Sequence, residues 1–244
     1  MARNRKPAGK AKADGVRITI VKDGPYLVSG GLPLSKEIIV TDMFGVPVRW
    51  EKGERYPAQK NYALCSCGHS KNMPYCTGTH SEVGFDGTET ADRKKYLAKA
   101  EKISGPEIVL RDAPEFCALA RFCDRGKGVW QLTRESDNPK AKETAIQEAK
   151  DCPAGRLVMY DRKTGKPLEP DLKPSISLVE DPGAKVSGPI WVKGGVQVES
   201  SSGARYETRN RITLCRCGKS GNKPFCDGTH TRVGFSDGDK RIKK

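Results

Sequence analysis

The chain opens its ordered pattern at Val16. Val16, Ile18 and Ile20 alternate with polar neighbours, which is the period of a half-buried strand. Lys22-Asp23-Gly24-Pro25 punctuates the run as a turn. Tyr26-Leu27-Val28, Ile38-Ile39-Val40 and Val46 to Trp50 predict further strands, with Phe44-Gly45 at the turn before the last. Tyr62-Ala63-Leu64 then runs into Cys65. Much later the same pattern returns. Ile176, Leu178, Val179, Val186, Ser187 and Gly188 align with Ile18, Ile20, Val21, Val28, Ser29 and Gly30 at a constant offset. Tyr56 and Tyr206 stand equally far before the next cysteine, and Val83-Gly84-Phe85 matches Val233-Gly234-Phe235. The repeating unit is therefore a small β-rich domain, with a longer loop in its first copy.

Between the copies the period changes. Glu107 to Leu110 predicts a strand, Pro114 to Phe122 a short helix, and Asn138-Pro139 the start of a second helix with Ala145, Ile146 and Ala149 on one face. Arg156 to Tyr160 predicts a closing strand. The expected architecture is α+β: a basic tail at 1–15, a β-rich domain at 16–90, a βααβ domain at 91–173, a second β-rich domain at 174–237 and a basic tail at 238–244.

The chemistry lies where each β pattern ends. Cys215 and Cys217 are two apart, so on an extended segment they share a face, while Cys226 and His230 are one helical turn apart. Cys65, Cys67, Cys76 and His80 repeat that spacing at every position. Two adjoining elements, each offering a pair of soft or borderline donors, can clamp one inorganic centre. Nine cysteines invite a disulfide reading, but no apolar run follows the first basic residues as in a secretory signal. Thiols outside the secretory route are more often metal ligands or redox groups. Cys3His is also a common structural zinc set, so zinc stays open.

Cys-x-Cys, Pro-aromatic-Cys and Cys226-Asp227-Gly228-Thr229-His230 resemble the CDGSH iron-sulfur family, the group of mitoNEET-like proteins. The second copy matches almost in full. The first departs at Thr77, where the family has Asp. The resemblance implies a [2Fe-2S] cluster on Cys65, Cys67, Cys76 and His80, and another on Cys215, Cys217, Cys226 and His230. Thr77 or Asp227 is expected to cap the turn that carries the histidine; Thr77 keeps a capping oxygen but removes a charge, so the two sites need not be equivalent. The middle segment resembles a divergent mono-cluster ferredoxin domain. Cys117, Cys123 and Cys152-Pro153 keep three ligand positions, and Ala120 stands at the fourth. These three either bind a [3Fe-4S] or [4Fe-4S] centre or pack as small hydrophobes. As a centre they would lie between the outer two.

Charge and histidine count narrow the rest. The formal net charge is +14, a balance that suits nucleic acid, an anionic surface or an acidic protein. The basic tail lacks aromatics for base stacking, so a nucleic-acid role is the weaker reading, a zinc-bound basic module being its form. No run is long and apolar enough for a membrane helix. The histidines are His69, His80 and His230, and two of them belong to the Cys3His sets. No nucleophile-base pair, Walker loop or dinucleotide fingerprint is present, so the chain reads as a carrier and not an enzyme. The expectation is a cytoplasmic electron-transfer protein, or a cluster donor or redox sensor. Its partners would be redox or cluster-acceptor proteins. The chain is expected as a monomer whose repeats pair with each other.

Overall fold

The computed structural model describes residues 15–242. The tail expected at 1–15 falls outside them, except for Gly15, as do 243 and 244. The first repeat contributes β1 (Arg17–Ile20), β2 (Tyr26–Ser29), β3 (Leu34–Thr41), β4 (Pro47–Arg55), β5 (Asn61–Leu64) and a one-turn helix α1 (Thr79–Glu82). The middle segment holds α2 (Tyr96–Lys99), β6 (Glu101–Ser104), β7 (Ile108–Asp112), α3 (Val129–Arg134), α4 (Pro139–Asp151) and β8 (Leu157–Asp161). The second repeat holds β9 (Ser175–Asp181), β10 (Val186–Lys193), β11 (Gln197–Glu199), β12 (Arg211–Leu214) and α5 (Thr229–Arg232).

The two repeats exchange strands. One sheet runs β11-β1-β2-β5 and the other β12-β10-β9-β3-β4. In the first, β11 of the second repeat lies parallel to β1, with Ile18 opposite Val198. In the other, β3 of the first repeat lies parallel to β9, with Leu34 opposite Ile176. The relation is a pseudo-twofold: each copy gives its third strand to its sibling's sheet. The longer loop of the first copy is β4, which pairs antiparallel with β3 and extends that sheet. Parallel pairing cannot be closed by a tight turn, so the exchange joins elements more than a hundred residues apart. The ranges 16–90 and 174–237 thus delimit repeats of the sequence, while in space the two copies are interleaved. Ile18, Val28, Leu64, Ile176, Ile190 and Leu214 meet in one core shared by both sheets. The C-terminal stretch packs back as well: Asp239 pairs with Lys36 at 2.6 Å, and Ile242 is buried.

The middle segment is an antiparallel sheet, β6-β7-β8, backed by α3 and α4. Its second helix starts as the sequence indicates. Asn138 accepts from the N–H groups of Lys140 and Ala141, and Pro139 occupies the first turn, where its missing N–H costs nothing. The helix expected over Pro114 to Phe122 does not form. Two short 3-10 turns, Pro114–Phe116 and Phe122–Asp124, take its place, and the helix lies later, at α3. Leu119 and Arg121 adopt left-handed φ angles of 50° and 60°, which a right-handed helix excludes. The chain bends there instead, and the bend draws Cys117 and Cys123 toward the end of α4.

Candidate metal centres

Both Cys3His loops are built alike. β5 ends at Leu64, and Cys65 donates its N–H to the Pro74 carbonyl while Cys76 donates to Ala63. In the second copy Cys215 donates to Pro224 and Cys226 to Thr213. Met73-Pro74 and Lys223-Pro224 are both cis. These bridges return the Pro-aromatic-Cys step to the strand that carries the Cys-x-Cys pair, so four donors from two segments share one end of a sheet.

The donors sit in pairs. Cys65 Sγ and Cys67 Sγ are 3.6 Å apart, and Cys215 Sγ and Cys217 Sγ are 3.9 Å apart. Cys76 Sγ lies 3.4 Å from His80 Nδ1, and Cys226 Sγ lies 3.4 Å from His230 Nδ1. Two thiolates about 2.3 Å from one tetrahedral ion stand roughly 3.8 Å apart, so each pair spans one edge of such an ion. Among the described residues, no three His, Cys, Asp or Glu side chains converge on a single ion.

Capping differs from the expectation. The position before each one-turn helix is a left-handed glycine, Gly78 at φ 84° and Gly228 at φ 83°, whose N–H points at Cys76 Sγ or Cys226 Sγ. A side-chain-free residue takes that φ at little cost. Asp227 acts one step earlier, accepting from Thr229 N–H at 3.0 Å and from Gly221 N–H at 2.8 Å. Its burial raises its pKa, but these two donations outweigh that and hold the carboxyl below its usual range. Thr77 takes the Lys71 N–H and bonds the Ser70 and Thr79 hydroxyls.

The two sites differ in their surroundings. Cys76 and His80 are half-buried, whereas Cys226 and His230 are only 3% and 4% exposed. Burial first, then the nearby Arg216, pushes the free His230 imidazole down to about 4. Burial also raises the Cys226 thiol, and pushes Cys67 up to about 11. A bound cation offsets that cost, because metal ligation requires the thiolate. The residue between the paired cysteines differs too. Ser66 donates to the Gly24 carbonyl. Arg216 is wholly buried, pairs with Glu180 at 2.8 Å and Asp237 at 3.1 Å, and donates to the Gly188 and Val179 carbonyls.

The ferredoxin-like cysteines also come together. Cys117, Cys123 and Cys152 line one recess with Ala118 to Phe122, Pro153, Arg156 and Leu157. Among the described residues, its lining holds these three cysteines and no His, Asp or Glu. Arg211, four residues before Cys215, fixes its rear wall by donating to the Cys152, Ala149 and Leu157 carbonyls. Arg156 is held by Asp112 at 2.6 and 2.9 Å.

Family models match this chain three times. Residues 23–81 and 187–231 match the iron-binding zinc finger of CDGSH type, and residues 103–162 match the divergent 4Fe-4S mono-cluster domain. The chain is an iron-sulfur protein that carries two CDGSH-type segments. Its two CDGSH domains flank the divergent 4Fe-4S domain in sequence, as the motifs indicated. No curated protein and no solved structure gives a match. In space the order changes. A Cβ on Gly228 would stand 2.6 Å from Leu119 Cγ and 3.2 Å from the Cys117 carbonyl, so the ferredoxin-like loop lies against the second CDGSH site. A Cβ on Gly218 would meet Cys67, so the second site also touches the first. The expectation that the middle cysteines lie between the outer two therefore fails: the second CDGSH site occupies the centre. Their recess shares no lining residue with the first site.

Sequence reasoning did not single out Arg216, Arg211, Gly68 or Gly218. Only the glycines carried a signal, as the same residue after Cys-x-Cys in both copies. His69 is an exposed loop residue at the edge of a cavity beside Cys67. Tyr56 and Tyr206 pack, as expected, though Tyr206 also donates to Glu89 at 2.6 Å. No helix among the described residues is long and apolar enough to cross a membrane.

Proposed function

We propose that the chain is an electron carrier that holds a [2Fe-2S] cluster at each CDGSH site. Cys65 and Cys67 would bind one iron and Cys76 and His80 Nδ1 the other; Cys215, Cys217, Cys226 and His230 would repeat the arrangement. The observation that carries this reading is the pairing of the donors. Two pairs, each with the bite of one tetrahedral ion and with no third donor converging, suit a binuclear centre better than a single zinc ion. When bound, such a cluster exchanges one electron with a partner. The chain's part is to hold the donors on rigid strand ends and to aim the Gly78 and Gly228 N–H groups at cysteine sulfur, which tunes the potential. It works in this reading as a carrier without catalysis of its own, as a cytoplasmic monomer whose repeats close on each other in cis. Cys117, Cys123 and Cys152 would hold a third, [3Fe-4S] or [4Fe-4S], centre, with Arg121 and Arg156 offsetting its negative charge.

Iron, acid-labile sulfide and zinc, assayed together on freshly purified protein with the absorption spectrum, test the reading. Cys226→Ser should remove one [2Fe-2S] cluster and leave the other. A colourless zinc protein, or iron unchanged in that variant, rejects it. Low-temperature paramagnetic resonance tests the third centre through a signal that vanishes in Cys123→Ser. A second reading, delivery of a cluster to an acceptor protein, is favoured by the half-buried Cys76 and His80 edge of the first site.

A further inference from the structure

The ferredoxin-like segment closes one CDGSH site and leaves the other open. Its loop from Glu115 to Arg121 lies across the second site. Leu119 and the Cys117 carbonyl sit on Gly228, and Phe116 meets Phe225 edge-on at 5.2 Å. Asn222 donates to the Glu115 carbonyl at 2.9 Å. Arg121 grips Asp181 of β9 through two nitrogens, at 2.5 and 3.1 Å. Under this cover Cys226, Gly228 and His230 are all buried, whereas at the first site Gly78 is exposed and Cys76 and His80 are half-buried. The histidine edge of the first site is the one that meets solvent.

On the Cys67 side of the same site lies a cavity of about 300 Å³, lined from the first repeat by Cys67, His69, Val83, Gly84, Phe85 and Asp86, and from the second by Gly218, Lys219 and Lys223. Val83 is 47% exposed, and the Lys223 ammonium stands 6.0 Å from the Phe85 ring. Among the described residues, neither Lys219 nor Lys223 has a carboxylate within ion-pair distance, and Asp86 is the one acid in the lining. The mouth thus mixes polar and apolar surface and presents two ammonium groups that form no ion pair, on a chain of net charge +14. Such a surface attracts a carboxylate-rich partner and orients it before contact.

We propose that the first CDGSH site is the docking port of this protein, and that its occupant is an acidic protein whose carboxylates meet Lys219 and Lys223 over the cavity beside Cys67. The second site, closed by the ferredoxin-like segment, is internal and serves the first. The proposal rests on the electron-carrier reading for its purpose, but not for the contact itself.

The test is calorimetric titration of the cluster-loaded full chain with an acidic, oxidised [2Fe-2S] ferredoxin as probe, at low and at high salt. Lys219→Glu combined with Lys223→Glu should weaken binding at least tenfold at low salt and flatten its salt dependence. The milder pair Lys219→Gln and Lys223→Gln should weaken it by a smaller factor, and covers the case in which charge reversal disturbs loading. Lys163→Glu, on the exposed turn after β8 and outside both cavities, should stay within twofold of the parent. Equal affinity in the lysine variants, an equal loss in Lys163→Glu, or no binding by the parent overturns the port. Dithionite bleaching of the same samples separates the two readings. Clusters that bleach while affinity ignores the lysines reject docking alone. Lysine-dependent binding with clusters that do not bleach rejects electron transfer alone.

Discussion

Gly68 lies against the backbone of Cys217: a Cβ at position 68 would stand 2.7 Å from the Cys217 carbonyl oxygen. The converse holds across the pseudo-twofold, where a Cβ on Gly218 would stand 2.4 Å from the Cys67 carbonyl. Both glycines have positive φ, 80° and 73°, and both follow a Cys-x-Cys pair. The loops that present half of each donor set therefore support one another back to back. Gly68→Ala should cost more than its own site. The added methyl meets backbone, which cannot rotate away, and the φ is one that alanine resists. Metal analysis should show iron falling by more than one cluster's worth. A loss confined to the first site would show that the loops are independent.

Acid should empty the two sites in order, first site before second. A proton competes with the metal for histidine Nδ1, so loss proceeds as pH falls. Water reaches the half-buried His80, while His230 is buried and its imidazole is pushed down to about 4, so its neutral form persists to lower pH. The visible absorbance should bleach in two steps on acidification. His80→Cys should remove the earlier step and His230→Cys the later one. A single step, unchanged in both variants, would contradict the assignment of the ligands.

Arg216 should be among the most sensitive positions outside the donors. It replaces the Ser66 of the first copy with a buried cation that two carboxylates and two carbonyls hold. Arg216→Ala leaves Glu180 and Asp237 buried without their counter-ion, which costs about 3–5 kcal/mol. Ser66→Ala removes one hydrogen bond to a carbonyl, worth about 1 kcal/mol. Urea unfolding of loaded protein measures both, and equal shifts would mean that the Arg216 network contributes little.

Glu148 should make the fold less stable as pH rises. It lies on the inner face of α4 at 0% exposure, both carboxylate oxygens lack a partner, and burial raises its pKa to about 8. The folded chain therefore holds a proton there that the unfolded chain releases near pH 4.5. Stability from this group is complete below that value and is lost as pH climbs toward 8. Glu148→Gln should add roughly 1–3 kcal/mol at pH 8 and nothing near pH 4. Thermal melts at both values decide it, and a gain of equal size at both would place the effect elsewhere.

The sequence by itself determined the donor sets. Cys65, Cys67, Cys76 and His80, and their counterparts, work over a span of sixteen residues, so spacing and turn chemistry suffice to read them. It also determined the repeat, because alternation of Ile18 and Ile20 with polar neighbours is a local signal that Ile176 and Leu178 reproduce. Asn138-Pro139 marked the start of α4 for the same reason. Tertiary structure alone decided which strand belongs to which sheet. The parallel pairs of β1 with β11 and of β3 with β9 close loops far longer than any sequence period. Either repeat could have kept its own third strand without changing its pattern. The left-handed turns at Leu119 and Arg121 were equally invisible, since neither residue type favours that conformation and only packing on Gly228 and pairing with Asp181 hold it. From that one bend follow the meeting of Cys117 and Cys123 at one recess and the closure of the second site. The spacing of the candidate donors is a property of short segments, whereas access to them depends on contacts between segments a hundred residues apart, which no window along the chain contains.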